Sequence, residues 1–129
     1  MKALLGAVAL FAAALIGRPG GVNDAAIAGE GYPARLSEFG FFTDLAARMP
    51  AQGLFRYDLD TPLFSDYAAK ERYIYLPAGA RAKYDPDGPL DLPVGAALVK
   101  TFGYTVDGRF KTLETRVLLH RAGGWVPIP

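Results

Sequence analysis

Residues Ala97–Arg121 read ALVKTFGYTVDGRFKTLETRVLLHR, and this stretch decides the fold class of the chain. Two runs rich in β-branched and aromatic residues flank the dipeptide Asp107-Gly108. Asp-Gly is typical of the two-residue type I′ turn, because both turn positions need a positive φ. The stretch therefore predicts a long antiparallel β-hairpin.

The register of this hairpin follows from counting outward from the turn. Phe102 is then expected to face Leu113, and Leu98 to face Val117, which gathers apolar side chains on one side of the sheet. A slip of one residue would destroy that sorting of side chains, so the sequence favours this register.

The rest of the chain adds strands and short helical turns to this hairpin. A Gly-rich turn flanked by residues 118–121 and 125–128 predicts a second hairpin, and because the chain reaches Pro129 within that strand signal, we expect the natural protein to continue. The predicted fold class is mainly β, an antiparallel sheet or partial β-sandwich with short helical turns, preceded by a signal-peptide helix. The other predicted elements are strands at Arg72–Leu76 and Ala80–Tyr84 and helical turns at Thr43–Arg48 and Tyr67–Glu71.

The first 28 residues have the features of a secretory signal peptide. Lys2 supplies a positive charge, and the uncharged run Ala3–Gly17 is shorter than the roughly 20 apolar residues of a membrane span. Ala26-Ile27-Ala28 predicts cleavage after Ala28, with a cut after Gly17 as the alternative. We therefore expect a signal peptide over 1–28, a β-rich region over 29–129, a periplasmic or secreted protein, and no membrane span after cleavage.

Charge and cysteine content exclude several classes of function. Removing Lys2, Arg18 and Asp24 from the 14 basic and 13 acidic residues leaves 12 of each, so the exported part is neutral. A neutral surface gives no electrostatic reason to expect nucleic acid as a partner. The chain has no cysteine, which excludes thiolate catalysis, iron–sulfur ligation and covalent haem attachment through C-x-x-C-H within these residues.

The stretch 57–79 reads YDLDTPLFSDYAAKERYIYLPAG and mixes charged, aromatic and proline residues in a way that suits neither a core strand nor a solvated loop. Its aromatic residues fit either a sugar-binding platform or, the favoured alternative, a β-domain core, because an exposed aromatic patch is a liability in a soluble monomer. These aromatic residues are Tyr57, Phe64, Tyr67, Tyr73 and Tyr75.

The carboxylates of this stretch invite a catalytic reading that the spacing does not support. Glycosidases need a pair of carboxylates at a fixed separation, and nothing in the sequence fixes one. Interleaved cations at Arg56, Lys70 and Arg72 instead favour structural ion pairs and turn caps. The carboxylates are Asp58, Asp60, Asp66 and Glu71.

Two other candidate sites have ordinary structural readings. His120 is the only histidine and has no G-x-S-x-G serine motif to serve as a base, so we interpret it as a strand residue near a sheet edge. The acidic stretch Asp85–Asp91 begins like a calcium loop but has Ala96 where an EF-hand needs a bidentate Glu. An Asp/Pro/Gly turn is the favoured interpretation, and we assign no catalytic, cofactor-binding or metal residue.

The chain resembles an uncharacterised family of exported bacterial proteins described as diheme c-type cytochromes or cytochrome-associated proteins. Matching stretches begin at Tyr32-Pro33, run through 57–79, and end at Gly124-Trp125-Val126. The most specific block has no assigned role and contains Thr61, Pro62, Leu63, Phe64, Ser65, Asp66, Lys70 and Arg72.

This resemblance implies periplasmic electron transfer for the whole protein. In the family the β-rich region precedes a haem-bearing part, so we expect no cofactor in this segment and haem c only in a C-terminal part beyond it. The implied function is a non-catalytic N-terminal region that docks a downstream haem domain or redox partner. The alternatives are an independent extracytoplasmic module that binds a carbohydrate or protein, and, less favoured, a small hydrolase.

Overall fold

The computed structural model of the protein describes residues 21–129, so residues 1–20 of the predicted signal peptide over 1–28 lie outside them. The described part is mainly β, as the sequence predicts, with two antiparallel sheets. Its elements are helix α1 (Asp24–Ala28), a 3-10 turn (Leu36–Phe39), and strands β1 (Phe42–Asp44), β2 (Met49–Pro50), β3 (Leu54–Arg56), β4 (Ala69–Tyr75), β5 (Ala97–Val106), β6 (Arg109–Arg121) and β7 (Gly124–Ile128).

Strands β3 to β7 form a five-stranded sheet in which chain neighbours are also sheet neighbours. Each pair is antiparallel, and two-residue turns join β5 to β6 and β6 to β7. β1 and β2 form a separate two-stranded sheet. The predicted second hairpin is confirmed, because β6 pairs with β7 from Arg121↔Gly124 to Val117↔Ile128.

The central hairpin has the predicted turn but a different register beyond it. Asp107 and Gly108 lie at φ 51° and 72°, as a type I′ turn requires. Between Phe102 and Gly103 the register shifts by one residue, so Phe102 lies opposite Glu114 and not opposite Leu113. The predicted pairing of Phe102 with Leu113 is therefore wrong, because a β-bulge at Leu113 moves every later residue of β6 by one position.

The Phe110 ring packs against Gly103 next to this bulge. A Cβ atom on Gly103 would lie 2.4 Å from the Phe110 ring, so only glycine lets that ring pack over β5. Beyond the bulge Leu98 lies opposite Leu118, not opposite Val117 as predicted, and Val117 pairs with Val99 in the core. The sheet still sorts its side chains, but in a register that the bulge sets.

One face of the five-stranded sheet, the core face, is covered by the N-terminal part of the described chain. Ile27 of α1, together with Phe39 and Phe41, is buried against the side chains that β4, β5 and β6 direct to the core face. The Arg121 guanidinium fixes this segment, because it donates to the carbonyl oxygens of Ile27 and Ala26 at 2.8 and 3.3 Å. Residues around α1 are thus part of the folded domain.

Three predicted elements differ from the structure. Thr43–Arg48 does not form a helical turn but belongs to the β1–β2 hairpin, where Arg48 takes a positive φ. Tyr67–Glu71 is a tight turn that runs into β4, not a helical turn. Ala80–Tyr84 does not form a strand and contributes one isolated bridge, Lys83↔Asp91. In the first two cases strand pairing outweighed local helical propensity, whereas Ala80–Tyr84 lacks, among the described residues, a neighbouring strand that would pair along its length.

Candidate functional site

Residues 61–68, here called the motif loop, form the second part of the connection from β3 to β4 and expose large apolar side chains. Leu63, Phe64 and Tyr67 are 77%, 66% and 89% exposed. The prediction that the aromatic residues of this region form the core is therefore wrong for Phe64 and Tyr67. It is confirmed for Tyr73 and Tyr75, which alternate inward on β4 and lie in the core.

A strained turn presents the two exposed aromatic rings. The amide of Ala68 donates to the carbonyl of Ser65 at 2.8 Å, and the two residues between them, Asp66 and Tyr67, lie at φ 46° and 62°. This is the φ pattern of a type I′ turn, for which glycine is the usual choice at the second position. A non-glycine residue held there costs of order 1–3 kcal/mol, and such strain is concentrated at functional sites.

Contacts from the sheet hold this turn in place. The hydroxyl of Tyr104 on β5 donates to the carbonyl oxygen of Asp66 at 2.9 Å. The rings of Phe64 and Tyr67 pack edge to face with centroids 5.1 Å apart. The Lys70 ammonium donates to the carbonyl oxygen of Leu63. The motif loop is thus pre-organised and not merely an exposed connection.

Arg72 lies beneath the motif loop in a cleft of about 400 Å³. Its side chain is almost fully buried, and its guanidinium Nη1 is 4.0 Å from the Asp58 carboxylate, which is itself exposed. Pro62 and Ser65 line the same cleft, whereas Thr61 is an exposed residue at the start of the loop. The structure therefore brings most of the specific sequence block together around one buried cation.

The face of the sheet opposite the core, here called the charged face, carries a row of cations. Arg72, Lys100 and Arg116 lie directly opposite one another on β4, β5 and β6. Burial, and then the positive charges of Arg72, Lys70 and Arg116, lower the pKa of the Lys100 ammonium. The ring of Phe102 has the Lys100 ammonium and the Arg116 guanidinium over it, each 4.8 Å from the ring centroid.

Sequence reasoning did not identify Lys100, Phe102 or Arg116 as site residues. Their alignment depends on the bulge at Leu113, because the unbulged register places Arg116 opposite Val99. The available signal was Gly103, since an isolated glycine inside a strand pattern indicates a bulge or a close backbone approach. Placing the bulge in the partner strand would have aligned the three cations.

The carboxylates near the motif loop serve different structural roles. Glu71 points to the core side and forms an ion pair with Arg48 at 2.8 Å, so the ion-pair interpretation is confirmed for Glu71 with a partner that we did not predict. Asp58 is the weaker partner of Arg72. Asp66 acts through its backbone in the strained turn, and its carbonyl accepts from Tyr104.

His120 and the Asp85–Asp91 stretch lie in ordinary structural settings. His120 is on β6, an interior strand and not an edge, where its ring stacks on Trp125 with centroids 4.5 Å apart and its Nδ1 lies 3.1 Å from the Pro93 carbonyl. The amide of Asp87 donates to the Asp85 carboxylate at 3.0 Å, which is the turn that the sequence favours. Across residues 21–129 no three His, Asp or Glu side chains cluster as metal ligands would.

Comparisons with known proteins find no match among family models, curated proteins or solved structures. In the described part of the chain, neither helical segment is long and apolar enough to cross a membrane.

Proposed function

We propose that this β-domain is a non-catalytic docking module of an exported electron-transfer protein, and that its motif loop contacts a haem-bearing domain. The observation that carries the docking role is the strained turn at Asp66 and Tyr67, which holds two aromatic rings in solvent. Because this conformation costs free energy and the exposed rings gain nothing from burial in the free domain, a partner that covers them explains both features.

The composition of the motif loop suits a protein surface as its partner. Aromatic residues and arginine are enriched at the centres of protein interfaces, where they fill pockets and exclude water. Here Phe64 and Tyr67 project beside the cleft that contains Arg72. The choice of a haem-bearing partner comes from the sequence resemblance to exported cytochrome-associated proteins.

Capture of c-type haem by the 129-residue chain tests this proposal. Tagged chain is incubated with periplasmic extract of the producing organism, and haem in the eluate is measured by its reduced absorption bands and by peptide mass spectrometry. We expect haem peptides with the unaltered chain and a large loss with the double variant Phe64→Ala/Tyr67→Ala. Tyr84→Ala is the matched control, because Tyr84 is 75% exposed, is not a residue of the motif loop and does not line the cleft around Arg72.

Three results would overturn the proposal. One is absence of haem from the eluate, and another is equal capture by the double variant. The third is saturable binding of an oligosaccharide that depends on Phe64 and Tyr67, which would establish the alternative function of an independent carbohydrate-binding module. Circular dichroism of each variant shows that loss of capture does not reflect loss of folding.

A further inference from the structure

The row formed by Arg72, Lys100 and Arg116 is unfavourable in the free domain. Residues directly opposite on neighbouring antiparallel strands have Cβ atoms about 4.5–5.5 Å apart, and like charges in that position destabilise a sheet. Two such like-charged pairs, Arg72↔Lys100 and Lys100↔Arg116, occur side by side. A sheet selected only for stability would have alternated the signs of these charges.

The domain's own carboxylates compensate this row incompletely. Glu114 pairs with Arg116 at 2.6 Å, but both side chains are largely exposed. Asp58 reaches Arg72 only at 4.0 Å. Among the residues that the structure describes, no carboxylate forms a salt bridge with Lys100, the central cation. The row is therefore short of negative charge at its middle.

The cations are also held in place before any ligand arrives. Arg72 is 6% exposed, so its side chain is fixed by packing. The largely buried Phe102 ring contacts both Lys100 and Arg116, and cation–π contacts of this kind favour a defined position for each charge. Arginine suits carboxylate in particular, because its planar guanidinium donates two parallel hydrogen bonds.

We propose that Lys100 and Arg116, with the buried Arg72 adding positive charge beside Lys100, form a binding site for the acidic side chains of the protein that contacts the motif loop. The identity of that protein rests on the proposed docking function, whereas the capacity to bind carboxylates does not. A neutral exported chain lacks the long-range field that would favour a polyanion such as nucleic acid. A short row of three cations beside exposed apolar side chains matches an acidic stretch on a protein surface.

Titration with triglutamate tests the anion site directly. Side-chain NMR signals of Lys100 and Arg116 in the 129-residue chain are followed as triglutamate is added, with sodium sulfate and inorganic phosphate as parallel probes. We expect saturable shifts that are confined to the charged face. Lys100→Gln and the more exposed Arg116→Gln should each weaken triglutamate binding by roughly tenfold, and Lys111→Gln, an exposed lysine outside the row, should not.

Each other result overturns the inference. Absence of saturable shifts with triglutamate shows that the row does not bind carboxylates. Equal weakening by Lys111→Gln shows only general charge attraction, and phosphate or sulfate binding as tight as triglutamate binding assigns the site to small inorganic anions. Folding of each variant is checked by its thermal unfolding, and we expect Lys100→Gln to raise the melting temperature because it removes two like-charge contacts.

Haem capture separates this inference from the docking proposal. If Lys100→Gln weakens triglutamate binding but leaves haem capture intact, docking stands and the row does not serve the partner. If triglutamate binds while no chain captures haem, the anion site stands and the proposed docking function fails.

Discussion

The two faces of the five-stranded sheet differ in what surrounds their side chains. On the core face, Tyr73, Val99 and Val117 lie side by side and are buried by residues from α1 and the 3-10 turn. On the charged face, Arg72, Lys100 and Arg116 lie in the adjacent row and repel one another. The first face stabilises the domain through apolar burial, whereas the second carries like charges that disfavour the sheet.

Two turns of the described residues have the pair of positive φ angles that a type I′ turn needs, and they show the same contrast. Asp107-Gly108 joins β5 to β6 with glycine at the position where it is preferred. Asp66-Tyr67 has a similar pair of positive φ angles with a bulky residue in place of glycine. A turn that served only to connect strands would not need that strain, so the aromatic side chain itself is what the second turn supplies.

The largest effect that we expect is on the core face, at its N-terminal cover. A chain that begins at Gly29 lacks Ile27 and also loses the bond from the Tyr75 hydroxyl to Asp24. We expect it to be less stable by about 4 kcal/mol or more, because loss of a buried Ile side chain alone costs about 2–5 kcal/mol. Urea unfolding of this chain against one that begins at Arg18 measures the difference.

This comparison also bears on processing. We expect the mature N-terminus to precede Asn23, which fits the alternative cut after Gly17 better than a cut after Ala28. Edman sequencing of the exported protein reads it directly. Equal stability of the two chains, or a mature protein that starts at Gly29, would contradict a structural role for α1.

Truncation of two neighbouring leucines on β6 compares the contributions of the two faces to stability most directly. Leu119 is fully buried on the core face, whereas Leu118 is half-buried on the charged face. Leu119→Ala should lower the free energy of unfolding by about 2–5 kcal/mol, and Leu118→Ala by about half of that or less. Similar losses in chemical denaturation would mean that both faces are packed equally.

The β5–β6 turn should respond to a side chain that cannot adopt a positive φ. Gly108 has open space around its Cα, so the cost of Gly108→Val arises from φ and not from a clash. We expect a loss of about 1–3 kcal/mol in urea unfolding. Gly123→Val is the matched control, because Gly123 lies in the other hairpin turn with similar space and without a positive φ. A neutral Gly108→Val would show that the turn relaxes to another type.

Relief of strain in the motif loop is the smallest expected change in stability and has the opposite sign. Tyr67→Gly should raise the free energy of unfolding by about 1 kcal/mol, because glycine accepts a positive φ without steric cost. The same variant should lose haem capture. Tyr67→Phe is the control, since it keeps both the ring and the strain. A destabilised Tyr67→Gly would show that the Phe64–Tyr67 contact outweighs the backbone cost.

The sequence predicted those features that depend on few neighbours. Asp107-Gly108 fixes its turn locally, and the alternation of Tyr73 and Tyr75 places them on one side of a strand. The bulge at Leu113 escaped prediction because it reflects how the Phe110 ring packs over Gly103, which is a tertiary contact. The exposure of Phe64 and Tyr67 escaped it because apolar residues are assigned to the core by default, and these two residues break that rule.

Photo-crosslinking from position 67 tests the proposed docking role of the motif loop most directly. A photoreactive phenylalanine analogue replaces Tyr67 in one chain and Tyr84, which is also largely exposed, in another, and both are irradiated in cells of the producing organism. We expect peptide mass spectrometry to identify crosslinks from position 67, and not from position 84, to a peptide of a haem-bearing domain. Crosslinks that are equal from both positions, or that join position 67 only to proteins without haem, would contradict the account.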